Sequence, residues 1–165
     1  MAALTVGTSA PDFKLNSLRG ASSSLSDALK KGPVVAAFFK VSCPVCQFAF
    51  PYLERIYKTQ DGSRITIVGI SQNDAKDTEK FVKQFGVTFP VLLDEAKSYP
   101  VSNAYGLTNV PTIFWIAPDG TIEVSSVGWV KKEIEEIYEK VRGIYTQPPA
   151  ALFRPDEKIA EFRAG

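Results

Sequence analysis

Histidine is absent from the sequence and cysteine occurs only twice. A structural zinc site needs four ligands, usually sulfur or imidazole nitrogen. One built here would have to draw on carboxylates or on a second chain. Both cysteines, Cys43 and Cys46, lie within one tetrapeptide, so no disulfide can join distant parts of the chain. A bridge between them closes almost no loop, and in the chain-entropy model it would contribute little stability. Excess charge is missing as well: 19 basic residues offset 18 acidic ones, a formal net charge of +1 spread along the chain. No field is left to gather phosphates or anionic lipid, so neither nucleic acid nor a membrane surface is an expected partner. Long apolar runs are lacking too. The first 33 residues hold no signal-peptide core, and the run Val34 to Phe39 is far too short to cross a bilayer. As written, the chain is expected in the cytoplasm; a leader preceding it in the native frame would make it exported.

What remains is an ordinary globular composition, 45% hydrophobic and 22% charged over 165 residues, enough for one domain with its own core. After a polar, Ser-rich stretch through Ser22 to Ser24, a short helix is expected near Ser26 to Lys30. Gly32-Pro33 then introduces Val34-Val35-Ala36-Ala37-Phe38-Phe39, a continuous apolar run that reads as a strand covered on both faces. From Pro44 to about Tyr57 the apolar positions suit a helix, with Pro44 in the first turn, where its missing N–H costs nothing, and Pro51 placed to kink it. A second buried strand, Ile65 to Ile70, leads into a helix carrying Phe81, Val82 and Phe85 and stopped at Gly86. Phe89 to Leu93 reads as another short strand, and Ser102 to Tyr105 as a helical turn. Thr112 to Ile116 and Thr121 to Val127 flank Ala117-Pro118-Asp119-Gly120, an antiparallel hairpin. Ile134, Ile137, Tyr138 and Val141 share one face of a final amphipathic helix. These elements predict an α/β domain over residues 1–145, a mixed sheet with helices on both faces. A Pro-broken tail, 146–165, follows, readable only as a final turn near Asp156 to Phe162.

Cys43-Pro44-Val45-Cys46 stands where a buried strand hands over to a helix, the setting of a redox-active C-x-x-C pair. Residues three apart share a helical face, so the two sulfurs can meet. The free N–H groups and positive end of the helix favour a thiolate on Cys43, the expected nucleophile, while Cys46, one turn further in, is the expected resolving thiol. The bland alternative is a pair of unreactive core thiols.

The chain resembles the thioredoxin superfamily, in the redoxin or TlpA-like branch that borders the AhpC/TSA peroxiredoxins, from Val6 to Tyr145. The matching pieces are the strand Val34 to Phe39, Cys43-Pro44-Val45-Cys46, Pro51, the inserted strand-helix unit Ile65 to Leu93, and Tyr105-Gly106 followed by Val110-Pro111-Thr112. The resemblance implies a thioredoxin-like fold in which Pro111 is cis and faces the cysteines, with Pro44 and Val45 framing the site and the Val110 backbone pairing with a substrate chain. It also departs from the pattern. The buried acid that thioredoxin carries ahead of its first cysteine falls at Ala37, which leaves the inner thiol without its usual proton acceptor. Asp74, in the inserted unit, is the candidate replacement; otherwise it caps the helix that follows it. Lys40 could support the thiolate, or could simply be solvated.

Disulfide exchange with a protein disulfide or dithiol is therefore the expected activity, with a separate electron donor or acceptor and no cofactor. A peroxiredoxin-like thiol peroxidase is the second expectation. Peroxide sites of that family place a Pro and a Thr or Ser ahead of the reactive Cys, whereas the corresponding places hold Ala36 and Lys40 for Cys43, and Phe39 and Cys43 for Cys46. A non-catalytic binding module on the same fold is the third.

Overall fold

The computed structural model describes residues 2–165. The central strand is β3 (Val34–Phe39), and every one of its residues is buried, as its unbroken apolar sequence requires. It pairs in parallel with β4 (Thr66–Ser71), which pairs in parallel with β5 (Val91–Leu93). On the other side of β3 lies β6 (Thr112–Ile116), antiparallel, followed by β7 (Ile122–Val127). The hairpin between them closes through Gly120, whose amide donates to the Ala117 carbonyl at 2.8 Å and whose φ of +90° suits glycine. The far edge is a polar hairpin, β1 (Lys14–Ser17) and β2 (Ser22–Ser24), with β1 antiparallel to β5. The result is a seven-stranded mixed sheet in the order β2-β1-β5-β4-β3-β6-β7.

Two crossovers in the same direction, β3 to β4 and β4 to β5, place α2 (Pro44–Tyr57) and α3 (Ala75–Phe85) on one face, where α5 (Lys131–Ile144) joins them. The alternate residues Val35, Ala37, Phe39, Ile113 and Trp115 point into that layer. Val34, Ala36, Phe38, Phe114 and Ile116 point the other way, towards α1 (Leu25–Lys31), the N-terminal segment and Tyr105, at the end of α4 (Pro100–Ala104). Helices on both faces of a mixed sheet are the expected fold class. Pro51 lies on the exposed side of α2, and the helix continues through it to Tyr57.

Residues 146–165 pack back onto the domain. Leu152 is buried, Arg55 of α2 grips Glu157 through two hydrogen bonds of 2.8 and 2.9 Å, and β9 (Phe162–Arg163) pairs antiparallel with β8 (Trp129–Val130). The stretch read as a final turn therefore holds a turn only near its start, at Pro155–Asp156, and ends as a strand. Its backbone finds an unpaired edge at Trp129 and Val130, a partner no local pattern announces.

Candidate active site

Strand register decides which loops share one end of the sheet. Phe39 at the end of β3 pairs with Ser71 at the end of β4, Phe38 pairs with Thr112 at the start of β6, and Thr112 pairs with Val127 at the end of β7. Four loops consequently meet at the carboxyl end of β3: residues 40–43, 72–74, 108–111 and 128–130. Open α/β sheets place their sites at such an end.

Cys43 is the N-cap of α2. Its Sγ accepts the backbone N–H of Cys46 at 3.1 Å and, as a thiol, donates to the carbonyl oxygen of Val110 at 3.3 Å. The sulfur therefore sits at the positive end of the helix, between a backbone N–H and a carbonyl oxygen. Pro44 fills the first helical position beside it and is exposed, while Cys43 and Val45 are half-buried.

Cys46 is completely buried in the aromatic layer above the sheet. Burial pushes its thiol well above the usual range, its hydrogen bond with Cys43 adds to that, the Lys40 backbone works the other way, and the Cys43 charge makes a smaller contribution upward. The two sulfurs are thus set apart by environment, one half-open at a helix terminus and one sealed beneath it. Both are free thiols in this structure.

The Val110–Pro111 peptide is cis and Pro111 is buried, with the Val110 carbonyl turned to Cys43 and the Pro111 carbonyl accepting from Gly128 N at 2.8 Å. Thr112 Oγ1 donates to the Asn109 carbonyl at 2.7 Å and closes the bend from below.

Asp74 stays apart from this group. It is exposed, and its carboxylate caps α3 by accepting Asp77 N at 2.9 Å. Its neighbour Asn73 is the residue that reaches the cysteine loop, Oδ1 accepting the Val41 N–H at 2.9 Å. Gln47 Nε2 donates to the Val41 carbonyl, also at 2.9 Å. Both polar groups of Val41 are thereby pinned, and the backbone leading into Cys43 is fixed. Sequence reading missed both side chains; an Asn-Asp pair after a buried strand is the available signal, and only Asp74, in a different role, was drawn from it. Lys40 spreads over the Tyr99 ring, its Nζ 5.7 Å from the centroid, at the edge of an open cleft of about 360 Å³ between Gln72, Ser102 and Val110.

A helix-capping cysteine with a buried partner one turn on, facing a cis-proline at one end of a mixed sheet, defines a thioredoxin-fold thiol-disulfide oxidoreductase. Known proteins agree. Residues 6–125 match the family model described as the AhpC/TSA family. The thiol-disulfide oxidoreductase ResA of Geobacillus thermodenitrificans is 33% identical over 142 residues, covering 85% of this chain and 80% of that one. The thioredoxin-like protein YneN of Bacillus subtilis is 32% identical over 135 residues, with coverage of 79% and 76%. Among solved structures, the thioredoxin domain of a thiol-disulfide oxidoreductase from Bacteroides vulgatus superposes with a TM-score of 0.73 at 25% identity, over 84% of this chain and 98% of that domain. The chain belongs to the AhpC/TSA family, in its redoxin or TlpA-like thioredoxin-fold branch.

Proposed function

We propose that this protein exchanges disulfides with a polypeptide partner, Cys43 attacking and Cys46 resolving. The observation that carries the reading is the contrast between the two sulfurs: Cys43 half-open and capped by the Cys46 N–H, Cys46 sealed directly behind it. The Cys43 thiolate attacks one sulfur of a partner disulfide, and the other partner sulfur leaves as a thiolate and takes up a proton. A mixed disulfide on Cys43 is neutral, so neither the Cys43 charge nor the Cys43 thiol hydrogen bond any longer adds to the burial that holds the proton on Cys46. Cys46 then loses its proton and attacks the Cys43 sulfur, releasing the second partner thiolate and leaving Cys43 and Cys46 bridged. A separate dithiol donor restores the pair; run in reverse with a disulfide acceptor, the same steps oxidise a client.

Val110 supplies the docking edge. Its backbone lies against the nucleophile and is held by the buried Pro111, which suits main-chain pairing with an extended client.

The AhpC/TSA match also favours a thiol peroxidase reading. Peroxide cleavage needs fixed donors around the departing oxygen. The nearby Thr112 hydroxyl is already committed to Asn109, and Ser42 is exposed on the turn. One experiment separates the readings: reduced protein is mixed in stopped flow with a small aromatic disulfide and with hydrogen peroxide. Rapid oxidation by the disulfide alone is expected, with a mixed disulfide accumulating in Cys46→Ser and none forming in Cys43→Ser. Saturable oxidation by peroxide that Cys43→Ser abolishes would replace disulfide exchange with the peroxidase reading.

A further inference from the structure

The edge assigned to a client is already filled by this chain. Residues 160–165 run along the loop 128–130 and finish on the bend that carries the cis-proline. Lys131 N donates to the Glu161 carbonyl at 2.9 Å, Val130 pairs with Phe162 and Trp129 with Arg163, and Trp129 Nε1 donates to the Ala160 carbonyl at 2.7 Å. The Arg163 guanidinium lies 4.8 Å from the centroid of the Phe48 ring, two residues beyond Cys46. Asn109 Nδ2 donates to the Gly165 carbonyl at 3.1 Å.

Two glycines make the fit close. A Cβ on Gly128, whose φ is +74°, would stand 2.6 Å from the Arg163 carbonyl oxygen, and one on Gly165 would stand 2.2 Å from the Val110 oxygen. That Val110 oxygen is the one the Cys43 thiol touches. Gly165 thus packs its backbone against Val110, and a client chain paired with Val110 would need that place. The segment is nonetheless lightly held. Residues 160–165 are all exposed, and Phe162 keeps 62% of its surface in water, so main-chain bonds and rim contacts hold it where burial does not.

We propose that residues 160–165 are an intramolecular occupant of the polypeptide-docking edge. The clients are then disulfide-bearing segments in extended conformation that displace it, pair with Trp129 and Val130, and set a basic side chain over Phe48. This rests on the disulfide-exchange reading and adds to it a client class and a built-in competitor. The chemistry is β-strand addition with a cation–π anchor. Because the competitor is part of the chain, it lowers apparent affinity by the fraction of molecules in which the edge is open. A small disulfide that needs only the Cys43 sulfur escapes that reduction.

The test uses the 165-residue chain carrying Arg163→Pro, which removes a main-chain donor and the cation, or Gly165→Val, which sets side-chain atoms against Val110. The second changes one exposed terminal residue and leaves the core untouched. Rates of oxidation of the reduced protein are measured with a small aromatic disulfide and with an extended basic peptide bearing a mixed disulfide. An edge open in about 10–20% of molecules predicts a gain of about fivefold to tenfold towards the peptide in Arg163→Pro, and less than about twofold towards the small disulfide. Gly165→Val moves the same way. A synthetic peptide of residues 157–165 added to Arg163→Pro brings the peptide rate back down. Unchanged peptide rates in both variants, or equal acceleration with both substrates, would overturn the proposal. Failure of the exchange reading looks different: the parent protein would then react with neither disulfide, or would react equally well as Cys43→Ser.

Discussion

Two segments converge on Val110 from opposite sides, the cysteine loop 40–46 and the terminal residues 160–165, and they are held in opposite ways. The loop grows out of a fully buried strand, runs into a helix packed by aromatic rings, and has both polar backbone groups of Val41 pinned by Asn73 and Gln47. The terminal segment has no buried side chain and keeps its place through main-chain bonds to a two-residue strand. Geometry that a reaction depends on is built from burial, which is costly to disturb. Contacts that have to give way are built from exposed backbone pairing, whose opening free energy is small.

The sharpest way to break this comparison is to truncate one aromatic ring from each side. Phe50 is fully buried, with ring centroids 4.4 Å from Phe39, 5.5 Å from Phe81 and 5.6 Å from Phe89. Phe50→Ala should cost about 3–5 kcal/mol, the range for large-to-small changes in a packed core. Phe162→Ala should stay within about 0.5 kcal/mol, because the ring is already in water. Urea unfolding of both variants checks this; a comparable loss in Phe162→Ala would mean that the terminal segment is part of the cooperative core.

The helix that carries Phe50 was readable in the sequence and the position of Phe162 was not, which shows where the sequence carries information. The strand Val34 to Phe39, the helix from Pro44 to Tyr57 and the turn at Ala117 to Gly120 were legible because unbroken burial, a proline in the first turn and a Pro-Asp-Gly turn are local consequences of local chemistry. The hairpin of β1 and β2 escaped notice, since Lys14 to Ser17 and Ser22 to Ser24 are polar apart from Leu15, are exposed or half-buried, and are held by the pairing of β1 with β5. The terminal strand escaped for the same reason: its partner stands more than thirty residues away and leaves no periodicity. In the site, the cysteine pair and the proline bend were legible as motifs. Asn73 was not, since a lone Asn beside an Asp carries no sign of which one faces inward.

Asn73 and Asp74 sharpen the comparison at finer scale, being neighbours with opposite duties. Asn73→Ala leaves the partly buried Val41 N–H without its acceptor, a loss of about 1–2 kcal/mol. It should also loosen the backbone ahead of Cys43, read as a changed rate of thiol alkylation. Asp74→Asn keeps an equally good helix cap, so stability should shift by no more than a few tenths of a kcal/mol, about the spread among good caps. Resolution of the mixed disulfide should proceed at the parent rate in that variant. Slower resolution in Asp74→Asn would instead make this carboxylate a proton carrier for Cys46, despite its place on the cap.

The smallest effect concerns the latch that brings the tail back to α2. Glu157 accepts both terminal nitrogens of Arg55 and the backbone N–H of Arg154 at 2.7 Å, and Arg55 also holds the Leu152 carbonyl at 3.1 Å. The Arg55 hydrogen bonds are the main reason its carboxyl is held down at about 2, against an ordinary 4.5, with the Arg154 backbone adding to them. A carboxyl depressed in the folded chain contributes stability that is fully present above its ordinary value and is lost as pH falls through its folded value. Between pH 4.5 and about 2, then, protonation should release the Glu157 grip while the domain stays folded, because the packing of Phe50 against Phe39, Phe81 and Phe89 involves no titratable group. Limited proteolysis at acid pH with an acid-active protease reads this as cleavage within 153–165 ahead of the domain. Glu157→Gln should show that cleavage already at pH 4.5 and lose the acid dependence. Cleavage in the parent chain that ignores pH across this window would show that Trp129 and the terminal strand hold the tail without the latch.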